Sequence, residues 1–78
     1  MTNLEKYKNA FIESLGVEEY QLEGLKYQDY GWDSVGHMTL IAILEEAFDI
    51  MMDTDDIIDL SSFEKGKEIL GKYDVEFI

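Results

Sequence analysis

Gly31-Trp32-Asp33-Ser34 runs directly into Val35-Gly36-His37-Met38-Thr39-Leu40-Ile41-Ala42-Ile43-Leu44-Glu45-Glu46-Ala47-Phe48, and this junction decides the fold. The second stretch has the length and apolar content of a helix, with Val35, Met38, Ile41, Leu44 (or Ala42) and Phe48 spaced as one stripe. Leu40 and Ile43 widen that stripe, so this helix is expected to be the most buried of the chain. A serine where an acidic loop becomes a helix holds its hydroxyl at the positive end of the helix dipole, where phosphate is well accommodated. Ser34 is therefore a candidate attachment point, although its ordinary role there would be an N-cap.

Working outward, Leu4, Tyr7, Phe11 and Leu15 recur at helical steps. Thr2 or Asn3 is placed to cap that helix and Gly16 to end it. Between Val17 and Asp33 the pattern lapses into a long connection, and its Leu22, Leu25, Tyr27, Tyr30 and Trp32 favour a loop packed by its own side chains. After Asp49 and the Ile50-Met51-Met52 strip, Asp53 or Thr54 can cap a short helix bearing Ile57, Ile58 and Leu60. Ser61 and Glu64 stand in the relation of a capping box, opening a last helix whose face is Phe63, Leu70 and Tyr73. Gly66 and Gly71 weaken it by roughly 1 kcal/mol each relative to alanine. The tail Asp74 to Ile78 is short and expected to be loosely held. These elements predict a single all-α domain spanning residues 1–78: a small four-helix bundle, three main helices plus one short one, with a long loop between helices 1 and 2.

Composition narrows the function. Seventy-eight residues allow one small core, and a formal charge of −12 argues against nucleic acid or an anionic membrane surface as ligand. Basic protein surfaces are the expected partners. No cysteine is present, so there is neither a disulfide framework nor a thiolate metal site. The polar N-terminus lacks a basic region followed by an apolar one, and no apolar run has the roughly 20 residues of a membrane span. A cytoplasmic monomer without membrane insertion is expected.

The run Gly31-Trp32-Asp33-Ser34-Val35, followed by Leu44-Glu45-Glu46-Ala47-Phe48-Asp49-Ile50, resembles the signature of acyl and peptidyl carrier proteins. The resemblance extends over nearly the whole chain, through the helix order, the long first loop, the Leu15-Gly16-Val17 junction and the short acidic third helix. It implies that a phosphopantetheinyl transferase moves 4′-phosphopantetheine from coenzyme A onto Ser34 with magnesium. The arm's thiol would then carry an acyl or aminoacyl group as a thioester. It also implies that Asp33, which in isolation disfavours a neighbouring phosphodiester, serves the transferase and its metal. Loading and acyl-transfer enzymes with basic docking surfaces are the implied partners, and Val35, Thr39, Glu45, Glu46, Asp55 and Asp56 are the residues expected to meet them.

Fatty-acid carriers usually follow the serine with leucine and an acid, with a further acid on the same face; here those places hold Val35, Gly36 and Thr39. The electronegative stripe is thinned there and shifts toward Glu45, Glu46, Asp49, Asp53, Asp55, Asp56 and Asp59. Trp32-Asp33-Ser34 with His37 looks more like free-standing carriers of specialised acyl- or aminoacyl-transfer pathways than like the housekeeping fatty-acid carrier. Gly36 removes a side chain beside the arm. The competing readings are a housekeeping fatty-acid carrier and an unmodified acidic adaptor.

Other signals have plainer readings. Ser34 and His37, three apart, can share a helix face, yet His37 is the only histidine and nothing supplies a triad, so the chain is expected to be no enzyme. His37 reads as a helix-surface residue, Trp32 as a packing aromatic, and Met51 and Met52 as core filler. From Asp53 to Glu64 the acidic spacing imitates a calcium loop, but Ile58 stands where glycine is required. Gly66 to Lys72 imitates a phosphate loop, but Tyr73 follows instead of serine or threonine, and the motif lies inside a helix.

Overall fold

In the computed structural model, which describes residues 2–77, four α-helices follow one another: α1 (Asn3–Leu15), α2 (Ser34–Phe48), α3 (Thr54–Asp59) and α4 (Phe63–Gly71). No strand forms among the described residues; Lys26 and Ser62 make one isolated antiparallel bridge. The expected all-α bundle, with one short helix and a long first loop, is what forms.

Helix α1 is set by its ends. The Thr2 hydroxyl accepts from the Glu5 amide while the Glu5 carboxylate accepts from the Thr2 amide, a reciprocal capping box. At the other end Gly16 adopts a left-handed conformation (φ 70°) and its N–H bonds the Ile12 carbonyl, a geometry that favours glycine. Phe11 sits at the centre of the core, edge-on to Tyr7, Trp32 and Phe63 at centroid distances of 5.0, 5.3 and 5.2 Å. Such arrangements add about 0.5–1.5 kcal/mol per pair beyond the area they bury.

Helix α2 spans the expected residues but presents a different face. Its buried residues are Leu40, Ile41 and Leu44, whereas Val35 and Met38 are exposed. The stripe is rotated because α1 packs beside α2, with the Leu15 side chain against Gly36. Gly36 therefore makes room for α1, correcting its reading as a gap beside the arm. Nor is α2 the most buried helix. Shorter α4 buries Phe63, Gly66, Ile69 and Leu70.

Three more expectations change. The cap of α4 is Ser62, whose hydroxyl accepts from the Lys65 amide, rather than Ser61. Ser61 is held outside the helix because its carbonyl accepts from Tyr27 N–H at 2.8 Å, and Phe63 N–H bonds the Leu25 carbonyl at 2.9 Å. Gly66 is a point of close approach: a β-carbon there would fall on the Tyr7 hydroxyl. The tail is docked, with Val75 buried, Phe77 against Tyr7 and Phe48, and the Glu76 carbonyl accepting from the Asn3 amide group. Ile78 lies outside the described residues.

The long loop is packed in part, as its composition suggests. Val17, Leu22, Leu25 and Trp32 are buried, whereas Tyr20 and Tyr30 stand exposed. Of the methionines between α2 and α3, Met52 joins the core and Met51 is exposed. The calcium-like spacing falls largely on α3, a helix that cannot wrap an ion, and the phosphate-loop imitation lies within α4 and the residue after it.

Candidate functional site

The loop reaches α2 through a tight turn. Gln28 N–H bonds the Trp32 carbonyl, Trp32 N–H bonds the Asp29 carbonyl, and Asp33 N–H bonds the Gly31 carbonyl. Gln28, Tyr30 and Gly31 all have positive φ, and for the two non-glycine residues this costs on the order of 1 kcal/mol each. The turn delivers Asp33, not Ser34, as the helix N-cap: its Oδ1 accepts from Gly36 N–H at 2.8 Å. A carboxylate at that end also suits the helix dipole. Ser34 becomes the first helical residue, exposed, with a hydroxyl that makes no hydrogen bond among the described residues. Capping is thus carried by its neighbour, and the Ser34 oxygen is left available.

His37 is not a free surface residue. Its Nδ1 accepts from the Trp32 indole N–H at 3.0 Å, and its Nε2 lies 2.7 Å from the Ile57 carbonyl. The indole nitrogen only donates and a carbonyl only accepts, so the ring is the neutral tautomer protonated at Nε2. It stacks on Trp32, and Tyr27 meets both rings edge-on. This relay joins the loop, α2 and α3. With both nitrogens engaged, His37 has no lone pair for Ser34, and the pair assembles no nucleophile and base.

Ser34 lies on a surface cleft of about 300 Å³ between α2 and α3, lined also by Tyr27, His37, Met38, Ile58, Leu60 and Ser61. The bridge between the loop and α4 brings Tyr27 and Ser61 there. Helical periodicity could not have found this set, because three segments far apart in sequence supply it. Nor did Ile58 mark it in the sequence, where it reads as part of the apolar face of the short helix, although the structure leaves it exposed beside Ser34.

The acidic residues divide. Glu46 and Asp55 are exposed, as are Val35 and Thr39, whose hydroxyl donates to the Val35 carbonyl. Glu45 is half-buried, and its carboxylate accepts from Met52 N–H at 2.9 Å, holding the α2–α3 turn. Asp56 is only 7% exposed, correcting its placement on an open acidic face. Its carboxylate accepts from Lys72 Nζ and, at 2.6 Å, from the Tyr73 hydroxyl. The Lys72 bond, then the Tyr73 bond, hold the Asp56 carboxyl below its ordinary range, against the opposing effect of burial. Among the described residues no three histidine, cysteine or carboxylate side chains gather as a metal site, and no helix is long and apolar enough to cross a membrane.

In comparison with known families, the family described as the phosphopantetheine attachment site matches residues 8–65, from within α1 to the first turn of α4. No curated protein and no solved structure matches the chain significantly.

Proposed function

The chain belongs to the phosphopantetheine attachment-site family, and from that premise we propose that it is an acyl carrier protein whose 4′-phosphopantetheine arm is joined to Ser34. The observation that carries this reading is the Ser34 hydroxyl, exposed and free of a capping bond because Asp33 caps α2 in its place. In the attachment step the Ser34 oxygen attacks the phosphorus that bears pantetheine in coenzyme A. A serine-oxygen to phosphorus bond forms, the diphosphate bond breaks, adenosine 3′,5′-bisphosphate leaves, and the serine proton passes to a base of the transferase. Asp33, the residue before Ser34, would meet the transferase's magnesium ion through the carboxylate that also caps α2. The arm supplies a terminal thiol that holds an acyl or aminoacyl group as a thioester.

The chain's own contribution is presentation rather than catalysis. The only histidine is committed at both nitrogens, so the bond-making groups come from partner enzymes. Those partners are enzymes of a specialised biosynthetic pathway with basic docking surfaces, meeting Val35, Thr39, Glu46 and Asp55 on a chain of charge −12 in the cytoplasm. A swinging arm raises the effective concentration of its cargo at each partner in turn.

The test is intact mass after incubation with coenzyme A, magnesium and a broad-specificity phosphopantetheinyl transferase, for the wild type and for Ser34→Ala. One phosphopantetheine on the wild type and none on the variant is expected. No gain on folded wild-type protein, or a gain that persists in the variant, overturns the assignment.

A further inference from the structure

The turn that delivers Ser34 carries a cost that the free protein does not recover. Tyr30 sits in the left-handed region (φ 48°, ψ 36°), where a bulky side chain crowds its own backbone. The other non-glycine residues with positive φ are Gln28, Asp49 and Asp74, and aspartate is among the side chains that tolerate this region best. The Tyr30 ring returns little to the fold. The residue is 62% exposed, and among the described residues its side chain makes no hydrogen bond and no aromatic contact. Resting on the carrier reading above, we infer that Tyr30 is a recognition contact for the enzyme that attaches the arm, its ring held out near Ser34 to be covered by the phosphopantetheinyl transferase.

The backbone on both sides keeps the ring in place. Lys26 N–H bonds the Asp29 carboxylate at 3.1 Å, and Asp29 N–H bonds the Lys26 carbonyl at 2.9 Å. Trp32, fully buried, closes the turn by donating to the Asp29 carbonyl and accepting from Gln28 N–H. Tyr30 is thus fixed between two anchored residues, although glycine or asparagine would meet its backbone conformation at lower cost. A strained, over-determined backbone that carries an exposed aromatic marks a contact completed only when something else binds.

The reaction identifies the occupant. The transferase must bring the phosphorus of coenzyme A to bonding distance of the Ser34 oxygen, so its surface has to close around Ser34. Enzymes that act later meet the cargo at the far end of the arm and can stand further off. A standard interface covers about 800 Å² of each partner, a patch of about 16 Å radius if round. Four residues of chain span at most about 14 Å, and the turn shortens that distance, so exposed Tyr30 falls within a patch centred on Ser34. Tyrosine suits such a place, because it offers a large, rigid surface at low entropic cost and is enriched among the residues that dominate binding.

The experiment uses the full chain as wild type, Tyr30→Asn, Tyr30→Phe and, as a control, Tyr20→Asn. Tyr20 is 81% exposed but lies over a different cleft, with Leu4, Lys8 and Lys67. Arm attachment is followed by intact mass with coenzyme A, magnesium and a broad-specificity phosphopantetheinyl transferase, and the thermal midpoint of each unmodified protein is measured. Stability and recognition should part company in Tyr30→Asn. Its midpoint should stay level or rise by up to about 5 °C, while kcat/KM falls about 10- to 100-fold, through KM for the carrier rather than through kcat. Tyr30→Phe and Tyr20→Asn should keep kcat/KM within about threefold of the wild type. When the transferase is added to wild-type protein without coenzyme A, the Tyr30 ring resonances should shift and those of Tyr20 should not. A wild type that gains no arm overturns the carrier reading, and this inference with it. With the wild type modified, an unchanged kcat/KM for Tyr30→Asn, a loss confined to kcat, or an unmoved Tyr30 ring overturns the contact alone. So does a midpoint lowered by more than about 2 °C, or a variant that does not fold, since either would assign the ring to the fold of the free chain.

Discussion

The Tyr7 hydroxyl donates a 2.6 Å hydrogen bond to the Phe63 carbonyl, across the backbone of Gly66. Burial pushes the Tyr7 phenol pKa far up, with the Glu64 charge adding to it, so the group stays protonated and donates at neutral pH. The contact pins α1 to the first turn of α4 and explains a glycine that helix propensity alone disfavours. Gly66→Ala should therefore destabilise the protein by up to about 2 kcal/mol, the ~1–3 kcal/mol of overpacking outweighing the roughly 1 kcal/mol gained in helix propensity. Urea unfolding of Gly66→Ala, Tyr7→Phe and the double variant checks this. Removing the hydroxyl should rescue the alanine, making the double variant more stable than Gly66→Ala alone; simple additivity would sink the account.

How far the sequence could be read depends on the range of the interaction involved. The ends of α1 were legible because caps are local, Thr2 or Asn3 before it and Gly16 in its left-handed turn after it, whereas the cap of α2 is Asp33 rather than the Ser34 that the sequence offered. The buried side of α2 was not legible, because a helix apolar on most sides leaves the choice between Met38 and Leu40 to whatever packs against it. Ser61 with Glu64 has the spacing of a cap, yet pairing of Leu25 and Tyr27 with the residues before α4 moves the helix start to Ser62. Ser34 could be singled out from its neighbours. The cleft beside it could not, since the Ile57 carbonyl lies 20 residues beyond His37 and no period links them. Likewise, a string of aspartates gives no sign that Asp56 turns inward while Asp55 does not.

The His37 relay predicts an ordering among variants. His37→Ala leaves the buried Trp32 N–H without an acceptor and should cost about 1–3 kcal/mol before any loss of packing, whereas His37→Gln offers both an acceptor and a donor and should cost less. Urea midpoints give the order. Equal losses for alanine and glutamine would show that ring packing, not the hydrogen bonds, sets the position.

Eighteen carboxylates against six lysines make the folded chain repel itself. Screening should raise the thermal midpoint as sodium chloride goes from 10 to 500 mM, over which the Debye length shrinks from about 30 Å to below 10 Å. Millimolar magnesium should act at lower concentration. The attraction between Lys72 and Asp56 is screened as well but is a single pair. A midpoint that is flat or falls across the series would mean that such pairs outweigh the net charge.

Acid tests Asp56 separately from that repulsion. Its carboxyl is held below the ordinary value of 3.8 in the folded protein, chiefly by the Lys72 bond and next by that of Tyr73, so the unfolded chain takes up the proton first as pH falls. The stability it contributes is complete above the unfolded value and is lost as pH falls through the folded one. Glu5, held low by the Thr2 cap, acts in the same direction. Stability should therefore drop as pH falls below about 4. Asp56→Asn should be less stable than the wild type at pH 7 and have a shallower acid limb, the two urea-midpoint curves converging once Asp56 is protonated in both states of the wild type. Parallel curves down to pH 2.5 would show that the Asp56 charge contributes nothing and that the bonds from Lys72 and Tyr73 serve geometry alone.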